Sequence, residues 1–127
     1  MRVYLPMKRG ELADFMQSGN FSVSALIAAT PRVAQEYGVT ELEELEYAAL
    51  EIARTKSEHE GLEIIATFEL VQHSLSGASE VDAGVLHDTF TLKWSELIAL
   101  YRITSPDEEL EWYDTSEATT VLNLGSN

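Results

Sequence analysis

Residues 40–70 read TELEELEYAALEIARTKSEHEGLEIIATFEL, and within that stretch the hydrophobic pattern changes from a helical period to strict alternation. In its first part, Leu42, Leu45, Ala49, Ile52, Ala53 and Lys56 trace one stripe, with Glu41, Glu44, Glu51 and Glu58 off it. Thr40 and Glu43 have the spacing of a capping box, in which each side chain satisfies the other's free backbone N–H. Glutamates at the start, with Arg54 and Lys56 near the end, suit the helix dipole. Gly61 can take the left-handed conformation that stops a helix. A helix over 40–59 follows. From Leu62 onward, Leu62, Ile64, Ala66, Phe68 and Leu70 fall on one face of a half-buried strand.

Working outward, Arg2–Leu5 reads as a short strand halted by Pro6, which has no N–H for a ladder. Leu12, Phe15 and Met16 at helical spacing before Ser18-Gly19 predict a helix. Ser24–Ala29 is a second apolar strand. Thr30-Pro31 then supplies a cap and a first-turn proline, and Val33, Ala34 and Tyr37 carry the period to Gly38. Beyond the central stretch, residues 74–84 read as a long mobile loop. Leu86, Asp88, Phe90, Leu92 and Trp94 alternate with His87, Thr89, Thr91 and Lys93 as a strand, and a corner at Ser95-Glu96 leads to another, Ile98–Ile103. An acidic tail begins at about residue 105, where helix starts at Ser105-Pro106-Asp107-Glu108 and Asp114-Thr115-Ser116-Glu117 compete. This order predicts a single α+β domain over 1–127. The expected architecture is a two-layer sandwich, a mixed sheet of about five strands with helices packed on one face.

A chain of 127 residues, 45% hydrophobic, has the length and composition of one folded domain. It has no cysteine, which excludes disulfides, thiolate metal sites and thiol catalysis. No apolar run is long enough for a signal peptide or a membrane span, so a cytoplasmic location is expected. The net charge is −14. Residues 1–40 hold four basic and three acidic groups, whereas residues 41–127 hold four basic and 19 acidic. Such a surface repels nucleic-acid phosphates and anionic membranes and favours a basic protein partner.

The pieces MRVYLP (1–6), ATP (29–31) and EELEYAAL (43–50) together resemble a family of small actinobacterial proteins classed as a domain of unknown function. The similarity is clearest over residues 1–70, and residues 105–114 look like an added stretch. It implies one cytoplasmic domain and transfers no catalytic residue, substrate or cofactor.

The residues themselves give few chemical signatures. The glycines are scattered singly, which excludes a phosphate-cradling loop, and no nucleophile elbow is present. His59, His73 and His87 lack the spacing of a helical metal pair, so no metal site and no cofactor are assigned. Glu44, Glu46 and Tyr47 set acids beside an aromatic ring on one helix edge, a combination suited to a cationic ligand or basic peptide. Tyr47 is nonetheless expected to pack on the sheet. Lys8, Arg9 and Arg32 are the main basic concentration; parallel first and second strands would gather them around an anion. An acidic interaction or regulatory module is therefore the first reading. A protein or small enzyme acting on an anionic metabolite through Lys8, Arg9 and Arg32 is the second, and an acidic nucleic-acid mimic the third. A homodimer through the edge of Ile98–Ile103 is a further expectation.

Overall fold

Alternation along β1 (Arg2–Met7) sends Val3, Leu5 and Met7 to one side of the sheet and Tyr4 to the other, and both sides are buried. The computed structural model describes residues 1–105 and 107–124. After β1 come α1 (Arg9–Ser18), β2 (Asn20–Ala28), α2 (Pro31–Tyr37), α3 (Leu42–Glu60) and β3 (Ile64–Glu69). They are followed by β4 (Ser79–Asp82), β5 (Val85–Lys93), β6 (Leu97–Arg102), β7 (Glu111–Asp114) and α4 (Ala118–Asn123). The strands form one sheet in the order β4-β5-β2-β1-β3-β6-β7.

The α+β class holds, but the sheet is antiparallel throughout and has seven strands rather than a mixed five. β2 and β3 both run against β1, so they are parallel to each other, yet β1 lies between them and keeps them from pairing. The additional strands are β4 (SEVD) and β7 (EWYD), four-residue edge strands whose charged sequences carry little apolar alternation.

Helices cover both faces, not one. Leu12 and Phe15 of α1 and Val121 of α4 pack with Val3, Leu5, Met7, Phe68 and Leu100 on one side. Ala49, Leu50 and Ala53 of α3 pack with Tyr4, Ile27 and Ile65 on the other. The sign of this was Ile65, an apolar residue on the supposedly polar face of β3; five of that strand's six residues are buried. The caps of α2 are as read: Thr30 accepts from Val33 N–H at 3.2 Å, and Gly38 is left-handed. The start of α3 differs. Glu41 is its N-cap, without a side-chain bond, and Leu42 is 66% exposed.

Residues 74–84, read as a long loop, contain the end of a 3-10 turn (Gln72–Leu75) and β4. The acidic tail is folded back as well. Arg54 donates to the carbonyls of Ser105 and Glu108, β7 pairs with β6, and Ala118 and Val121 are buried. Of the two competing helix starts the second prevails, with the Asp114 side chain capping the turn into α4; Pro106, in the first, lies outside the described residues. Because β6 is paired on both sides, it offers no edge for the expected homodimer.

Gly84 closes the β4–β5 hairpin at φ +82°, where an added Cβ would lie 2.9 Å from Val33 and 3.2 Å from the Ala28 carbonyl. Its N–H donates to Glu80, whose carboxylate also accepts from Thr30 Oγ1 at 2.6 Å, tying the hairpin to the start of α2. Left-handed backbone costs a non-glycine residue about 1–2 kcal/mol, and the overpacking adds about 1–3 kcal/mol. Gly84→Ala is expected to lower unfolding stability in urea by about 3 kcal/mol in total. Gly77→Ala, which meets only Asp88 at 3.5 Å, should stay within about 0.5 kcal/mol of wild type. Equal losses in the two variants would contradict this account of the hairpin.

Candidate functional site

The face of α3 that meets the sheet is set by Ala49, Leu50, Ala53 and Ser57, which leaves another stripe of the helix turned to its flank. Glu43, Tyr47 and Glu51 follow one another there at intervals of four residues, with Glu44 and Ala48 beside them. Together with Tyr37 at the end of α2 and Val39 in the link, they line a groove of about 440 Å³. Its base is apolar, its rim is three carboxylates, and Tyr37 and Tyr47 are 53% and 64% exposed. The expectation that Tyr47 packs on the sheet fails because the small residues Ala49 and Ala53 occupy that position instead.

A smaller cavity of about 210 Å³ adjoins this groove. Arg2, Tyr4, Glu43, Glu46, Tyr47, Leu50 and Tyr101 line it, so Glu43 and Tyr47 belong to both spaces. Of the acids and aromatic singled out in the sequence, Glu44 faces the groove, Glu46 the cavity, and Tyr47 stands between. Arg2, Tyr4 and Tyr101 were not singled out. Arg2 and Tyr4 share a strand face and could have been coupled by their spacing, but Tyr101 joins them only through the register Ile65↔Tyr101.

Electrostatics separate the two spaces. Arg2 bridges Glu46 at 3.3 Å and Glu69 at 3.8 Å. Burial, and then the nearby Glu46 carboxylate, push the Tyr4 phenol well above its ordinary range. Burial also raises Tyr101, with Arg2 opposing. Each arginine is tied to a carboxylate: Arg9 to Glu63, Arg32 to Glu36, Arg54 to Glu58 and Arg102 to Glu111. Lys56 pairs with Glu60. Positive and negative groups are therefore interleaved over much of the surface. Among the described residues, the carboxylates of Glu43, Glu44 and Glu51 make no ion pair or hydrogen bond, which makes the groove rim a place where negative charge stays uncompensated.

The basic trio is not brought together. Because β1 and β2 are antiparallel, Lys8 and Arg9 follow β1 at one end of the sheet and Arg32 follows β2 at the other. Arg32 instead donates to the carbonyls of Glu80 and Val81 at 2.9 and 3.1 Å. The expected anion site at Lys8, Arg9 and Arg32 is thereby overturned. His59, His73 and His87 lie on α3, the 3-10 turn and β5, and no three His, Asp or Glu side chains converge for a metal among the described residues. Among the same residues no helix is long and apolar enough to cross a membrane.

Compared with known proteins, residues 1–101 match the model of a family described as a family of unknown function, DUF6912. No curated protein and no solved structure matches the chain.

The buried phenols make stability depend on alkaline pH. Tyrosines of the unfolded chain ionise near pH 10, while Tyr4 and Tyr101 in the folded state hold their protons to higher pH. Above about pH 10 the unfolded state then binds fewer protons, and stability falls as pH rises. Their contribution is complete below that pH and disappears through the folded-state titration. Tyr4→Phe is expected to flatten the fall in melting temperature between about pH 9.5 and 11 relative to wild type. Parallel curves for the two proteins would show that Tyr4 titrates normally.

Proposed function

Since the chain belongs to this family of unknown function, we propose from its geometry that it is an acidic interaction module whose α2–α3 groove docks a basic segment of a protein partner. What supports this reading above all is the coincidence of two exposed tyrosines with three carboxylates that no cation among the described residues pairs with. A lysine or arginine chain can lay its aliphatic stem on Val39 and Ala48, its charge over a ring face, and its N–H groups toward Glu43, Glu44 or Glu51. The overall charge of −14 adds long-range steering of a positive partner. The reading as a nucleic-acid mimic lacks comparable support, because ion pairs with Arg2, Arg9, Arg54 and Arg102 interrupt the acids on α3, on and just before β3, and on β7.

Calorimetry with a peptide alternating lysine, arginine and alanine tests the reading. Binding is expected at low ionic strength and should weaken steadily as salt is raised, since exposed charges are screened over about 10 Å at 0.1 M salt. Glu43→Gln, Glu44→Gln and Glu51→Gln combined should weaken it about tenfold, from contributions of about 0.2–1 kcal/mol per exposed pair. Tyr47→Ala should weaken it about threefold. No binding at low salt, or an affinity indifferent to these changes, would refute docking at this groove.

A further inference from the structure

Pro6 stops the ladder on one side of β1 only. Toward β3, β1 pairs along its whole length, Arg2–Met7, with Pro6 opposite Ile65. Toward β2, among the described residues, it pairs only at Val3↔Ala28 and Tyr4↔Ile27. The Ala28 N–H donates to the Gly84 carbonyl at 2.8 Å, on the β5 side, so Ile27 and then Ala25 turn their main-chain groups toward β1. Counted on in that register, the residue opposite Ala25 is Pro6, which has no N–H. The Ala25 carbonyl therefore receives no donor from β1, and the two strands part there. A main-chain carbonyl is a strong acceptor, and one left over in this way needs a partner from elsewhere.

Where the strands part lies a pit of about 70 Å³, lined by Pro6, Ala25 and Ile27 and, from α3, by Lys56 and Glu60. A trough of about 600 Å³ adjoins it, sharing Lys56, Glu60 and Val85 and adding Ile52. This space meets the α2–α3 groove only at Tyr37. Lys56 Nζ lies 3.5 Å from Glu60, and both side chains are nearly half exposed. That separation exceeds the ~2.7–2.9 Å of a strong charge-assisted hydrogen bond, so each charge can turn to a better-placed partner. Apolar walls with a few convergent polar groups are the ordinary make-up of a small-molecule site.

We propose that this space binds a small α-amino acid with a branched aliphatic side chain, a role separate from the docking reading and resting on none of its residues. The ammonium donates to the Ala25 carbonyl and to Glu60, the carboxylate accepts from Lys56, and the side chain lies against Ile27, Ile52 and Val85. Each part of the ligand answers one feature of the site. Opposite charges one helical turn apart match a zwitterion, the carbonyl without a donor matches an N–H, and branched aliphatic walls match a branched aliphatic chain. A simple anion offers nothing to Glu60 or Ala25, and a simple cation nothing to Lys56.

Calorimetry on the intact chain tests this with L-leucine, and with isovalerate and isoamylamine as its carboxylate and amine halves. Leucine should bind, and each half should bind about tenfold more weakly, the scale of one hydrogen bond to a charged group. Lys56→Met keeps an unbranched stem and should weaken leucine and isovalerate about tenfold, but not isoamylamine. Glu60→Gln should weaken leucine and isoamylamine, but not isovalerate. Pro6→Ala restores a donor opposite Ala25. The new amide should be protected from hydrogen exchange, and leucine should bind about tenfold more weakly. Its melting temperature should stay close to wild type, because the added hydrogen bond offsets the unfolded-state entropy that proline had removed. If none of the three probes binds up to its solubility, the proposal is refuted. Isovalerate or isoamylamine binding as tightly as leucine would overturn the assignment to an amino acid. A freely exchanging amide at position 6 in Pro6→Ala would overturn the unpaired carbonyl on which the assignment rests.

Discussion

The two-faced burial of β1 is the constraint from which the rest of the molecule follows. A strand buried on both sides does not lie at the margin of the sheet, and here β2 and β3 flank it, both running against it. The apolar residues Val3, Leu5 and Met7 require a cover, which α1 and α4 provide, and Tyr4 requires another, which α3 provides. Even the separation of Arg9 from Arg32 follows, since antiparallel neighbours deliver their outgoing connections to opposite ends of a sheet.

That same constraint explains why α3 presents what it does. The small side chains of Ala49 and Ala53 lie against Tyr4, Ile27 and Ile65, and this fixes the rotation of the whole helix. Tyr47 and the acids Glu43, Glu44 and Glu51 are left on its flank, facing α2's Tyr37 across the groove. Glu46 falls on the sheet side, over the end of β1, where it meets Arg2. One helix rotation therefore divides neighbouring glutamates between an open, uncompensated rim and a half-enclosed pair.

Local chemistry was legible in the sequence, and long-range partnership was not. Thr30-Pro31, Gly38 and Gly61 announced helix ends because each acts on its own few neighbours. The strands at β1, β3, β5 and β6 showed in their apolar residues. β4 and β7 did not, because four-residue edge strands with charged side chains are held by pairing rather than by an apolar face. The sharing of one flank by Glu44, Tyr47 and the neighbouring acids was readable from helical spacing. Tyr101 lies far along the chain from Arg2 and Tyr4, and nothing short of the sheet register joins it to them.

The claim at the centre of this account is that the flank of α3, and not acidity in general, recognises a positive partner. Mapping backbone amide shifts during titration with a lysine–arginine peptide tests it most directly. The account predicts changes concentrated at residues 37–39 and 43–51, with little change at the more acidic 107–117. Changes spread over every acidic segment, or centred on 107–117, would contradict it.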